Sequence, residues 1–306
     1  MRNKKISVII PVFNEEDIIS QCINEIVQEA QSWNYAYEII FVNDGSSDTT
    51  YDILKNECNY NSSIKVLNFS RNFGHQMAFT AGLDISSGDA VIVIDGDLQD
   101  PPHVMSKFIK QWEKGFHVVY GTRAERKGET FFKIFSAKLF YQLLNKLSDI
   151  KIPKDSGDFR LMDRCVVKKL NKMRERHRFI RGMVSWVGFK QTSVEYERDK
   201  RQAGKTKYPL KKMINFALDG IFSFSTFPIK ITFFIGFLTI LLSFTGIIFA
   251  LISRVLTNGW VSGWTTLIIA ILFLGGIQLM SIGVLGQYIG RTFEQIKERP
   301  LYIIQD

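Results

Sequence analysis

An α/β domain on a doubly wound, mainly parallel sheet, continued into a hairpin of two membrane-spanning helices, is the architecture this 306-residue sequence predicts. Three observations predict it. Strand-like and helix-like segments alternate from Ile6 to Thr122, the pattern of helices covering a parallel sheet. Val91 to Ile94 are four consecutive β-branched residues, as in a strand buried on both faces. Two stretches, Ile231 to Ser253 and Val255 to Gly290, contain no charged residue, and each exceeds the roughly 20 apolar residues that cross a bilayer.

Ile6 to Val12 reads as the first strand, ending in Pro11-Val-Phe-Asn-Glu15, and Glu15 to Trp33 follows with helical spacing of Ile18, Ile19, Cys22, Ile23, Ile26 and Val27. Acids at its start complement the helix dipole. Tyr37 to Asn43 is the second strand; it closes on Asn43-Asp-Gly-Ser-Ser-Asp48, where Asp48 is placed to cap the next helix. Ile64 to Phe69 forms the third strand and Gly74 to Ile85 a helix. After the central strand, Pro101-Pro102 open a helix that runs to about Gly115, and His117 to Thr122 is a further strand with Arg123 at its end. Thr130 to Leu147 reads equally as a core helix or as one lying in the membrane interface, because a wide Phe and Leu face is interspersed with Lys133, Lys138 and Lys146. Residues 209–228 have a similar build and precede the first span, which makes them the better interfacial candidate.

The expected organisation is a domain over 1–208, the interfacial helix over 209–228, spans near 229–253 and 264–288, and a tail over 291–306. Lys211, Lys212 and Lys230 precede the spans and Arg291, Lys297 and Arg299 follow them, with only Arg254 between. This asymmetry places both ends in the cytoplasm. Met1 to Lys5 lead directly into a strand, without the apolar region of a signal peptide. Cys22, Cys58 and Cys165 have no paired spacing and read as reduced thiols. The net charge of +9 suggests an anionic partner, and beside membrane spans that means lipid headgroups and a phosphate-bearing substrate, not nucleic acid.

The chemistry concentrates at Asp95-Gly-Asp97-Leu-Gln-Asp100, which terminates the central strand. In open α/β sheets, ligands bind at that edge. Two carboxylates at i and i+2 suit a hard cation such as Mg²⁺ or Mn²⁺, completed by substrate phosphates. A solvated acidic turn is the alternative. Neither a dinucleotide fingerprint nor a P-loop occurs, so phosphates must be held by metal and basic side chains. Arg174 to Arg181 reads as a solvated or lipid-facing basic stretch, and the four dispersed histidines lack ligand spacing.

Taken together, Pro11-Val-Phe-Asn-Glu15, Asn43 to Asp48, Asp95 to Pro102, Gly157-Asp-Phe-Arg160 and Arg201-Gln-Ala-Gly-Lys-Thr-Lys207, followed by two spans, resemble the polyprenyl-phosphate glycosyltransferases. These are family 2 relatives of dolichol-phosphate mannose synthase, and the bacterial and phage bactoprenol glucosyltransferases look most similar. The resemblance implies a GT-A fold and inverting transfer from a nucleotide-diphosphate sugar to undecaprenyl or another polyprenyl phosphate. UDP-glucose is the favoured donor; UDP-N-acetylglucosamine and GDP-mannose are alternatives. By resemblance, Pro11, Val12, Asn14, Glu15, Asp44, Asp95 and Gly96 line the donor site, and Asp95, Asp97 and Gln99 serve Mg²⁺ or Mn²⁺. Arg123, Lys133, Arg201, Lys205 and Lys207 hold the acceptor phosphate, and Asp97, Asp158 and Arg123 carry catalysis.

Asp158 is left between three roles: orienting hydroxyls, acting as base, or pairing with Arg160 at a strand edge. Gly96 stands where relatives often carry alanine, which questions only the rigidity of the loop. The resemblance further implies membrane lipids as partners, a homo-oligomer such as a tetramer, and a flippase and a second glycosyltransferase acting downstream in cell-envelope modification. Two other readings stay open, a processive polysaccharide synthase and a catalytically silent membrane scaffold. The Gln-x-x-Arg-Trp motif and additional spans expected of the first are missing, and the intact acids argue against the second.

Overall fold

The computed structural model describes residues 4–123, 156–198, 225, 227–257 and 263–305. They form two compact units: one holds the sheet together with the segment from Arg299 onward, the other holds two long helices.

In the first unit the alternation expected from the sequence is present as β1 (Lys5–Val12), α1 (Ile19–Gln31), β2 (Ala36–Asn43), α2 (Thr50–Tyr60), β3 (Ile64–Asn68), α3 (His75–Ile85), β4 (Ala90–Val93), α4 (Val104–Glu113) and β5 (Val118–Arg123). Then come β6 (Ser156–Asp163), α5 (Arg164–Leu170), α6 (Ile180–Val187) and β7 (Gln191–Tyr196). The seven strands lie in the order β3-β2-β1-β4-β6-β5-β7. All neighbours are parallel except β6, which runs antiparallel between β4 and β5. This inversion matters for function. Its register sets Val93 against Arg160, so the chain leaving β4 at Asp95 comes level with the chain entering β6 at Asp158.

All four residues of β4 are buried, as a strand covered on both faces requires. One face of the sheet packs Ile6, Val8, Ile10, Ile39, Phe41 and Ile92 against α1 and α4 in a single core. Each such side chain contributes roughly 1.5–3 kcal/mol relative to exposure. Cys22 is buried in this core, and among the described residues all three cysteines are free thiols.

Helix ends depart slightly from expectation. The acids Glu15, Glu16 and Asp17 form a turn ahead of α1, where Glu15 O accepts the N–H groups of Ile18 and Ile19. Asp48 lies one residue before the α2 cap position, Thr49, and still accepts the Thr50 N–H at 3.1 Å. The expected helix over 130–147 lies outside the described residues, as does the interfacial helix expected over 209–228 except for Ser225 and for Phe227 and Pro228, which begin the first long apolar helix.

The second unit contains α7 (Phe227–Thr257) and α8 (Trp264–Ile296). Both are long and apolar enough to cross a membrane; at about 1.5 Å per residue each exceeds the ~30 Å hydrocarbon thickness. Large side chains such as Phe233, Phe249, Leu279 and Met280 are exposed along them. The Tyr288 hydroxyl donates to Ser225 O at 2.7 Å. Of the tail expected over 291–306, the first residues continue α8 to Ile296, and the segment from Arg299 belongs to the sheet unit.

Candidate active site

The parallel strands deliver their carboxyl ends to one edge of the sheet, and the antiparallel β6 delivers its beginning there. The β1 and β2 ends are bound together through their turns. Pro11 and Val12 pair with Val42 and Asn43. Asn14 adopts a left-handed backbone, φ 53°, which Asn tolerates better than most residues. Its N–H donates to Ser46 Oγ at 2.9 Å and its Oδ1 accepts the Ser47 N–H at 2.9 Å. The Glu15 N–H donates to Thr50 Oγ1 at 2.9 Å.

Asp44 is buried, and its carboxylate is clamped by the backbone of the loop before α3. Oδ1 accepts the Phe73 N–H at 2.7 Å, and Oδ2 accepts the Gly74 N–H at 3.0 Å. Burial pushes its pKa up, and these two amides oppose that rise. Gly45, at φ +67°, permits the close approach, because a Cβ there would stand 2.4 Å from the Arg71 carbonyl carbon.

At the end of β4 the acidic loop is held by its last member. Asp100 is buried and accepts from the Tyr196 hydroxyl at 2.5 Å and from Arg198 Nε at 3.1 Å. Leu98 takes a left-handed turn, φ 53°, and Asp97 Oδ1 accepts the Gln99 N–H at 3.2 Å. Asp95 and Asp97 are thereby left partly exposed. The structure gives Gly96 a different reason from loop rigidity: it is buried, and a Cβ there would meet Val12 Cγ1 at 2.8 Å. The glycine serves close packing of the loop on β1.

Asp158 faces this loop. Arg181 grips it with a fork, Nε to Oδ1 at 2.9 Å and Nη2 to Oδ2 at 3.2 Å. Gln76 Nε2 donates to Oδ2 at 3.5 Å, and His75 Nε2 stands 3.4 Å from the same oxygen and 3.7 Å from Asp95 Oδ1. The Arg160 pairing considered from sequence exists only at 4.0 Å, so Arg181 is the principal partner. Burial opposes ionisation of Asp158, but Arg181 and His75 outweigh it and hold the carboxyl well below the usual carboxylate range. For His75, burial is outweighed by Asp158 and Asp95, and its pKa is raised to about 9. Asp95 is raised to about 6 by burial, which His75 opposes and Asp100, Asp158 and Asp97 reinforce.

Among the described residues, Asp95 Oδ1 is buried with no hydrogen-bond partner. Among the described residues no three His, Cys, Asp or Glu side chains form a metal-binding group. A cation here would therefore rest on Asp95 and Asp97, helped by the Gln99 amide, and be completed by substrate oxygens. That donor set fits a hard divalent ion that keeps few protein ligands. Arg123 ends β5 opposite Tyr196 in register, which brings its backbone to the same edge. Its side chain, and Lys133, Arg201, Lys205 and Lys207, lie outside the described residues.

No sequence motif points to His75, Gln76 or Arg181, and the solvated stretch expected over Arg174 to Arg181 is solvated at Arg174 but turned inward at Arg178 and Arg181. Arg174 pairs with Asp84 at 2.8 Å, Arg178 is buried and donates to Met173 O, and Arg181 holds Asp158. These arginines are turned to structural partners because the folded chain presents carboxylates and carbonyls opposite them.

Residues 7–170 match the family model of glycosyl transferase family 2. The chain is 47% identical to the uncharacterized glycosyltransferase YkcC of Bacillus subtilis, covering 99% of this chain and 94% of that one. It is 43% identical to the bactoprenol glucosyl transferase of Shigella phage SfII over 98% of this chain and 97% of that one. A mannosyl-3-phosphoglycerate synthase from Rubrobacter xylanophilus is similar at TM-score 0.48 and 16% identity, over 71% of each chain. With residues 7–170 matched and a relative 47% identical over 94% of its length, this chain belongs to glycosyltransferase family 2.

Proposed function

We propose that the protein transfers one sugar from a nucleotide-diphosphate sugar, with UDP-glucose favoured, to a polyprenyl phosphate at the cytoplasmic face of the membrane. The observation that carries this reading is the gathering of Asp95, Asp97 and Asp158 at the carboxyl edge of a family 2 sheet, in a chain that continues into two bilayer-length apolar helices. The SfII relative, similar over 97% of its length, bears the name bactoprenol glucosyl transferase.

In the proposed reaction an acceptor phosphate oxygen bonds to the anomeric carbon as the bond to the donor diphosphate breaks, with inversion. A phosphate monoester whose second pKa is near 6 is already largely dianionic at neutral pH, so no side chain need remove a proton. Asp158 suits this chemistry as a fixed anion that orients hydroxyls. Both its oxygens are occupied by Arg181, His75 and Gln76, and its low pKa makes it a poor base. Asp95 and Asp97, with Gln99, would hold Mg²⁺ or Mn²⁺ against the diphosphate, where the ion supplies Lewis-acid stabilisation of the departing charge. Asn14, Glu15 and Asp44 shape the nucleotide pocket.

Arg123, Lys133, Arg201, Lys205 and Lys207 are assigned to the acceptor phosphate, which cationic donors would hold by charge-assisted hydrogen bonds. Arg123→Ala and Arg201→Ala should each lower kcat/KM for undecaprenyl phosphate at least about tenfold, roughly 1.4 kcal/mol of transition-state binding, with donor KM nearly unchanged. Steady-state kinetics with each substrate varied in turn checks this. A collapse of donor affinity with normal acceptor dependence would move these residues to the diphosphate site.

A further inference from the structure

We propose that the C-terminal tail, residues 299–305, is a positioning element of the donor pocket, acting through the loop between β3 and α3. The inference rests on the assignment of Asn14 and Asp44 to that pocket. β3 is an outer strand of the sheet, and the tail returns to it as an antiparallel bridge, Phe69 against Ile304. The Ser70 N–H donates to Ile303 O at 3.0 Å and the Gln305 N–H to Asn68 O at 2.7 Å. Arg176 Nη1 holds the start of the tail through the Arg299 and Pro300 carbonyls, both at 3.2 Å. The Tyr302 hydroxyl donates to Asp84 Oδ2 at 2.9 Å.

Two routes run inward from this tail. The Tyr302 ring stacks on Phe69, centroids 5.1 Å apart and planes at 14°. Phe69 is buried and meets the edge of Phe73 at 5.6 Å and 87°. The Phe73 N–H is one of the two amides that clamp Asp44. The second route is a chain of side-chain hydrogen bonds. Asn68 Nδ2 donates to Gln305 Oε1 at 3.4 Å, and Asn43 Nδ2 donates to Asn68 Oδ1 at 2.7 Å. Ser46 Oγ donates to Asn43 Oδ1 at 2.5 Å, and Ser46 Oγ accepts the N–H of Asn14 at 2.9 Å.

The tail thus reaches both Asp44 and the left-handed Asn14. A cover for an exposed sheet edge needs only the main-chain bonds. The aromatic stack and the amide relay go beyond that need, and both end on donor-pocket residues. Such connected networks lose more than one contact when a member is removed.

The test uses the full chain in detergent with Tyr302→Ala and Gln305→Ala combined, and Tyr302→Phe as the conservative control. Hydrogen exchange of segments 43–47 and 68–75 should accelerate at least about tenfold in the double variant, and donor KM should rise about fivefold, with acceptor KM and the exchange of β4 and β6 unchanged. Tyr302→Phe, which keeps the stack, should behave as the unaltered chain. Unchanged exchange in those segments, or unchanged donor KM, would overturn the proposal. So would equal rises in both KM values with faster exchange across the whole sheet, since that pattern marks a merely structural tail. If the unaltered chain made no lipid-linked sugar, the proposed function would fail, and the exchange rates would still decide whether tail and pocket are coupled.

Discussion

Asp97→Ala should reduce kcat by at least about two orders of magnitude, a loss of roughly 2.7 kcal/mol of transition-state stabilisation, which is the scale of removing one preorganised electrostatic partner. The carboxylate sits on a partly exposed loop whose conformation is set by neighbours: Asp100 with Tyr196 and Arg198 fixes one end, and the packing of Gly96 on Val12 fixes the other. The substitution removes the proposed cation ligand without removing core, so the unfolding free energy should stay within the ~0.5 kcal/mol range of a surface change. Donor-concentration series with Mn²⁺ and with EDTA, alongside thermal unfolding, measure both. A variant that turned over normally in EDTA would show that the acidic loop holds no catalytic cation.

Arg181→Ala should damage both stability and turnover. Asp158 is 9% exposed at its side chain and Arg181 21%, so removing the cation leaves a nearly buried carboxylate with, among the described residues, His75, Gln76 and the more distant Arg160. Breaking a buried pair in this way costs about 3 kcal/mol. The pH dependence has a definite sign. The folded pKa of Asp158 lies below its unfolded value, so its stabilisation is complete above the unfolded pKa of about 3.9 and is lost as pH falls through the folded pKa. The stability gap between unaltered chain and variant should therefore be largest at neutral pH and narrow below about pH 4. Turnover at a temperature where both are folded should fall at least about thirtyfold, and Arg181→Lys should recover only part of it, because an ammonium cannot reproduce the two-point grip. Denaturant unfolding from pH 3 to 8 is the check, and a pH-independent gap would remove Asp158 as its source.

Much of this arrangement was legible in the sequence, for identifiable reasons. β1, β2, β4 and β5 are short apolar runs ending in polar turns, and buried parallel strands admit little else. Asp44, Asp95 and Asp97 stand out as candidates because they lie directly at such ends, and the parallel strands bring those ends to one edge of the sheet. β6 was not expected to be a full strand, since Ser156–Asp163 mixes Asp158, Arg160 and Asp163 into a buried element. Asp158 and Asp163 have partners that only the fold supplies, Arg181 and Trp112, whereas Arg160 turns to its own strand. Arg160 Nη2 donates to Gly157 O at 2.7 Å, and Asp163 accepts from Trp112 Nε1 at 2.8 Å.

The same reason hid the support of Asp158. Gln76 lies 82 positions away in the chain and Arg181 lies 23 positions away. They meet because β6 runs antiparallel beside β4, an arrangement that local pattern does not encode. A run of arginines is usually solvated, which holds for Arg174 but not for Arg181, because the opposing Asp158 comes from a distant segment. The return of residues 299–305 to β3 was hidden too, since a few residues after a long apolar helix carry no pairing signal.

Product analysis of the purified full chain tests the central claim most directly. Offered undecaprenyl phosphate, Mn²⁺ and in turn UDP-glucose, UDP-N-acetylglucosamine and GDP-mannose, the protein should yield by mass spectrometry a lipid phosphate bearing a single added sugar from one of these donors, with the matching nucleoside diphosphate released. A ladder of longer glycans would identify a polymerising enzyme instead. Donor turnover that produced only free sugar, or no turnover of any donor, would contradict transfer to a polyprenyl phosphate.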